Sequence, residues 1–170
     1  MMPVEVTRRA VCEADWPLLF ELYASTRSAE LELTPWTPGQ RHAFLSMQFE
    51  AQTAGYRAAH PHASHEMILA GGCPVGRLYL DGQPDVLHIL DITIAPQSRN
   101  AGIGSLVLRE ILDEANREGK AVTIYVESFN PSARLFERLG FQQLSIDGFQ
   151  MFLEYKPEAV AADRKQGTVG

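Results

Sequence analysis

The spacing of apolar residues divides the chain into segments of period two and segments of period 3.6, separated by glycine and proline turns. Val4, Val6, Ala10 and Val11 predict an opening strand. Asp15 before Trp16-Pro17 marks a helix start, and Leu18, Leu19, Leu22 and Tyr23 follow at helical spacing. The segment SAELELTPWTPG breaks that pattern, and Thr37-Pro38 offers a cap and first-turn proline for a second helix through Phe44, Leu45, Met47, Gln48 and Phe49. Gly55 to His65, GYRAAHPHASH, has a proline and no sustained apolar period, which predicts an exposed loop.

Strands rich in branched and aromatic residues come next: Glu66 to Ala70, Pro74 to Leu80 and Val86 to Ala95, separated by Gly71-Gly72 and Asp81-Gly82. Gly102 to Glu118 sets Ile103, Leu106, Val107, Ile111, Leu112 and Ala115 on one helical face and ends at Gly119. Ala121 to Val126 reads as a buried strand and Ser132 to Leu139 as a short helix. Phe141 to Ile146 and Phe149 to Tyr155 form a closing pair of strands around Asp147-Gly148. The predicted order is β-α-α-β-β-β-α-β-α-β-β.

Composition narrows the class. At 170 residues, 45% hydrophobic and 21% charged, the chain suits a single soluble domain over 1–156. Residues 157–170, small and polar, are expected to form a tail outside the fold. Fifteen basic against twenty-one acidic side chains, for a net charge of −6, argue against nucleic acid or anionic lipid as partner. No segment has the roughly 18 apolar residues of a membrane span or the core of a secretion signal, so the cytoplasm is the expected compartment. Cys12 and Cys73 lack zinc or disulfide spacing and are expected to be buried small apolar residues. His60, His62 and His65 sit in a proline-containing loop without an element to fix ligand geometry, so no metal site is expected.

The densest chemistry lies in ITIAPQSRNAGIGSLVLREIL, where a strand ends, a loop carries Arg99, Gly102 and Gly104, and an amphipathic helix begins at once. Unpartnered N–H groups and the helix dipole make such a junction an anion site, and glycines let a pyrophosphate approach the backbone. The loop matches neither G-x-G-x-x-G nor G-x-x-x-x-G-K-[ST]. It does match R-x-x-G-x-G, and downstream NPSARLFERLGF places Asn130, Ala133, Gly140 and Phe141 in an N-x-x-A…G-F pattern. On these residues and the element order, residues 4–156 resemble the GNAT superfamily of acetyl-CoA-dependent N-acetyltransferases.

The resemblance implies an α/β (α+β) fold with a mixed, mostly antiparallel sheet of about seven strands and about four helices. It implies acetyl-CoA as cosubstrate and a primary amine as acceptor. Backbone N–H groups of Arg99, Asn100, Ala101, Gly102, Ile103, Gly104 and Ser105 would cradle the pyrophosphate. The main chain of Ile92, Thr93 and Ile94 would pair with the pantetheine arm, and Asn130 would bond it from the far side. Asn130 reads equally well as a cap for the helix behind Pro131. Where many members carry a tyrosine as general acid, this chain has Phe136, which leaves water or another hydroxyl, such as Tyr125 or Tyr155, as proton donor.

Asp91 and Glu127 are the leading candidate bases, with His88 behind them and water as a further route. His88, three residues from Asp91, falls on the opposite face of a regular strand and cannot form a dyad with it. For the acceptor, RSAELELTPWTPG offers Glu30 and Glu32 to attract a cation and Trp36 to wall a pocket. A CoA-binding module with little chemistry is the alternative reading, and an exposed C-terminal edge strand offers a surface for a homodimer.

Overall fold

The computed structural model describes residues 4–158, so all but the first two positions of the expected tail lie outside the described residues. The elements are β1 (Val6–Ala10), α1 (Trp16–Glu32), α2 (Pro38–Ala59), β2 (Ser64–Ala70), β3 (Cys73–Gly82), β4 (Val86–Ile94), α3 (Ile103–Glu118), β5 (Ala121–Glu127), α4 (Ala133–Arg138), β6 (Gln142–Asp147) and β7 (Gln150–Tyr155). Their order is the one the apolar spacing predicts. The strands form a seven-stranded sheet in the order β1-β2-β3-β4-β5-β7-β6. β4 and β5 run parallel, joined by the α3 crossover that parallel strands require. β1 and β2, β5 and β7, and β6 and β7 pair antiparallel.

The chain divides into two compact units: residues up to Tyr79 together with Ile92–Ile103, and Leu80–Asp91 together with the residues from Gly104 on. In the first, α1 and α2 close on a buried cluster of Leu19, Leu22, Tyr23, Leu31, Leu45, Phe49, Met67 and Ala95. The start of α2 is a capping box, with Thr37 Oγ1 accepting from Gln40 N–H and Gln40 Oε1 accepting from Thr37 N–H. In the second unit, α3 buries Val107, Leu108, Ile111, Leu112 and Ala115 while Arg109, Asp113 and Arg117 stay exposed. β6 is an edge strand exposed along its whole length, including Leu144 and Ile146.

Four local expectations need correction. α1 runs through SAELE to Glu32, so the helix connection shrinks to residues 33–37. Serine, alanine and glutamate are adequate helix residues, and buried Leu31 continues the apolar face of Leu19, Leu22 and Tyr23. α2 likewise passes Gly55, which costs about 1 kcal/mol relative to alanine and does not end a helix held by tertiary packing. Only residues 60–63 remain of the loop expected over Gly55 to His65. Leu106 is 41% exposed, and Leu108 fills the inward position instead. Cys12 and Cys73 are both exposed, Cys12 in the turn before α1 and Cys73 opening β3.

Candidate active site

The β4–α3 junction is shaped by its backbone. Ala95 N–H donates to Val75 O at 2.7 Å, fixing the end of β4, and Pro96–Ser98 makes one 3-10 turn. Asn100 (φ 64°) and Gly102 (φ 79°) are both left-handed, and such residues curl a loop until successive N–H groups face one concavity. Among the described residues, none of the N–H groups from Asn100 to Ser105 has a backbone acceptor. A Cβ at Gly102 would meet nothing within 4 Å, so open space lies against the backbone there. These N–H groups stand at the head of the 16-residue helix α3, the kind of backbone end that can accept an anion. Arg99 is exposed, and its Nε donates to Ile94 O at 3.1 Å, folding the guanidinium back over the strand end.

Gly76, which motif reading missed, shapes the neighbouring backbone. A Cβ there would stand 2.5 Å from Thr93 O and 2.9 Å from Ile94 Cδ1, so only glycine lets β3 approach this stretch of β4. A lone glycine in a strand was the available signal.

Within the second unit, the β4–β5 register runs from Val86↔Ala121 to Ile89↔Ile124, whereas β5 stays paired with β7 as far as Glu127↔Gln150. Leu90 and Asp91 therefore lie beyond the parallel register. Alternation puts Asp91 on the face of buried Leu87 and Ile89, and His88 on the other. His88 Nδ1 lies 2.7 Å from Thr123 Oγ1, and its ring sits edge-on to Tyr125 at 5.7 Å. Glu127, exposed, shares the face of Thr123 and Tyr125. The two candidate bases thus occupy opposite sheet faces, and the structure does not bring them together.

Phe136 is 2% exposed and packs edge-on against Phe141 at 5.3 Å, a core residue with no proton to give. Tyr155 is buried, and its hydroxyl and the Asn116 amide are hydrogen-bonded at 3.1–3.2 Å. Tyr125 is 54% exposed. Asn130 Oδ1 accepts from Ser132 N–H at 2.9 Å and Ser132 Oγ–H at 2.8 Å, so its carbonyl end organises the turn into α4 and its amide N–H₂ is what remains for a ligand.

Of the acceptor residues read from the sequence, Glu30 and Glu32 lie on the last turn of α1, and Trp36 packs on Phe44 at 5.0 Å while 37% exposed. Among the described residues, no group of three histidine, cysteine or acidic side chains is placed to hold a metal ion, and no helix is long and apolar enough to cross a membrane.

The Acetyltransferase (GNAT) family profile matches residues 16–141, and the chain belongs to that family. Among curated proteins none matches. Solved structures do. The chain is similar to the PaiA N-acetyltransferase of Thermoplasma acidophilum in complex with coenzyme A, at 15% identity over 89% of this chain and 99% of that one, with a TM-score of 0.66. An acetyltransferase of Thermus thermophilus gives 18% identity, 92% and 99% coverage and a TM-score of 0.63. The ribosomal-protein-S18-alanine N-acetyltransferase of Escherichia coli gives 18%, 89% and 94%, and 0.58. At such identities these structures establish a shared fold.

Proposed function

We propose that the protein transfers an acetyl group from acetyl-CoA to a primary amine. The observation that carries this reading is the cradle of unpartnered N–H groups at Asn100–Ser105 in a chain of the GNAT family. That cradle would hold the pyrophosphate, with Arg99 beside it, while the main chain of Ile92, Thr93 and Ile94 would pair with the pantetheine arm. The Asn130 amide N–H₂ would donate to the arm from β5's side. The family relative with coenzyme A bound supports the same ligand class.

In the reaction the amine nitrogen adds to the thioester carbonyl, the C–N bond forms, the C–S bond breaks, and the proton lost by nitrogen ends on sulfur or in water. Strand N–H groups near Ile92 would stabilise the oxyanion. Asp91 is the first candidate base, since it lies on the face of buried Leu87 and Ile89 and is itself half-buried, whereas Glu127 is exposed. Phe136 denies the leaving thiolate a tyrosine at that position, so protonation falls to water or to exposed Tyr125.

Buried Phe136 also favours a second reading, a CoA-binding module with little turnover. Thermal unfolding with and without acetyl-CoA, followed by CoA release over an amine panel, tests both. Ligand at about 100 times its Kd adds roughly 2.7 kcal/mol. A stabilising shift with turnover supports the transferase, a shift without turnover supports the module, and no shift at millimolar acetyl-CoA removes both.

A further inference from the structure

Between α1 and α2, wholly within the first unit, lies a cleft of about 460 Å³ that no motif announces. Four polar side chains on its walls are arranged for one kind of ligand. Gln52 Oε1 accepts from the buried Arg77 at 2.8 Å, so the carbonyl end of that amide is occupied and its N–H₂ is left. Gln48 Oε1 accepts from Tyr23 O–H at 3.3 Å with the same consequence, and Gln48 and Gln52, four residues apart, share one face of α2. Neither amide N–H₂ has a partner among the described residues.

Arg27 faces them from α1. Its guanidinium sits 5.4 Å from the centroid of the Tyr23 ring, and its Nε is buried without a hydrogen-bond partner among the described residues. Glu30, one turn further on, lines the same cleft but does not pair with it, although residues three apart on a helix commonly do. A buried N–H donor without an acceptor is costly, and a planar guanidinium beside two amide donors matches a carboxylate. The unpaired Glu30 carboxylate opposes a polyanion such as a phosphate ester and suits a molecule that also bears a cationic amine.

We infer that this cleft is the acceptor's subsite and that the acceptor is an amine carrying a carboxylate, held by Arg27, Gln48 and Gln52. The inference rests on the acetyl-transfer reading. Tyr23 and Leu31, which wall the cleft, belong to the same buried cluster as Ala95, the residue that follows β4.

The test compares matched probes at saturating acetyl-CoA: L-lysine with cadaverine, L-phenylalanine with phenethylamine, and L-methionine with 3-(methylthio)propylamine. Carboxylated members should show kcat/KM higher by about tenfold or more, the effect of one hydrogen-bonded charge. Arg27→Gln should collapse that ratio towards one through KM, with Arg27→Lys intermediate because it keeps charge without the fork. Equal use of both members by the wild-type protein, or an unchanged ratio in Arg27→Gln, overturns the inference.

If no probe turns over, calorimetric titration of the same amino acids into the CoA-loaded protein decides. Binding that Arg27→Gln abolishes supports the site. No binding, with the acetyl-CoA thermal shift retained, overturns this inference alone, whereas loss of that shift in the wild-type protein overturns the transfer reading beneath it.

Discussion

The β4–α3 loop and the α1–α2 cleft are both polar concavities, but they are made of different material. The loop's donors are main-chain N–H groups, presented by left-handed residues at Asn100 and Gly102 and by a helix start. Such a site needs few particular side chains, and it leaves glycines at fixed offsets. The cleft's donors are side chains from two helices, oriented by hydrogen bonds to Tyr23 and Arg77, and no spacing rule connects Arg27 to Gln52. Within one small protein, the element proposed to hold the cosubstrate follows a family motif, whereas the element proposed to choose the acceptor follows no spacing rule.

The comparison breaks most sharply at Gly104. This residue lies inside α3 and is not among the left-handed glycines, so its backbone conformation is one a valine can adopt, and the branched side chain is expected to crowd the helix's first N–H groups. Gly104→Val should lower acetyl-CoA affinity by about a hundredfold or more, as expected when one or two hydrogen bonds to a charged ligand are lost. The check is the thermal shift: the wild-type protein should gain roughly 5–10 °C in Tm at 100 Kd of ligand, and the variant almost nothing. Wild-type affinity in a folded Gly104→Val protein would remove the backbone cradle as the basis of binding.

The same contrast explains how much of the molecule was legible in the sequence. Element order followed from apolar spacing because α3 buries one clear face, β5 buries Val122, Ile124 and Val126, and β7 buries Leu153 and Tyr155. Helix ends were less visible. Ser28 and Gly55 look like breakers locally, but α1 continues because Leu31 buries further on, and α2 passes Gly55 to set Tyr56 edge-on against Tyr79 at 5.1 Å. Exposed Cys12 and Cys73 departed from the usual habit of free cysteine because both sit where elements begin. The cradle was legible as a motif, whereas Gly76 and the Arg27 cleft were not. Their meaning depends on which residue arrives opposite them: Thr93 across β3 and β4, and Gln48 and Gln52 across α1 and α2.

The next effect in size concerns chemistry. Asp91→Asn should lower kcat by about a hundredfold at neutral pH with acetyl-CoA affinity nearly unchanged, the usual contribution of a general base. Glu127→Gln on the opposite face should change kcat little. The reverse result would move the base to the face of His88 and Tyr125, and no effect from either would assign proton removal to water. Smaller still is Gly76→Ala. Forcing a methyl group against Thr93 O and Ile94 Cδ1 should destabilise the fold by about 1–3 kcal/mol, the cost of overpacking, seen as a Tm lower by several degrees. An unchanged Tm would show that β3 yields easily and that the close approach is incidental.

The smallest expected effect belongs to the side-chain-built half and depends on pH. Arg9 grips Asp15 with two hydrogen bonds of 2.7 and 2.8 Å, and Cys12 N–H donates to the same carboxylate at 2.8 Å, clamping the turn that feeds α1. The bond from Arg9 is the main reason that the Asp15 carboxyl is held well below the usual carboxylate range, and the Cys12 N–H reinforces it against the opposing effect of burial. A carboxyl depressed on folding stabilises the protein above its unfolded pKa of about 3.9 and loses that contribution as pH falls further. Tm should therefore drop more steeply below about pH 4 in the wild-type protein than in Asp15→Asn. At neutral pH the variant should be the less stable of the two, and the gap should narrow on acidification. Parallel curves would show that the clamp is fully screened by solvent. In that case the start of α1, and with it the wall bearing Tyr23 and Arg27, is held by the buried cluster around Leu19 and Leu22 and not by charge.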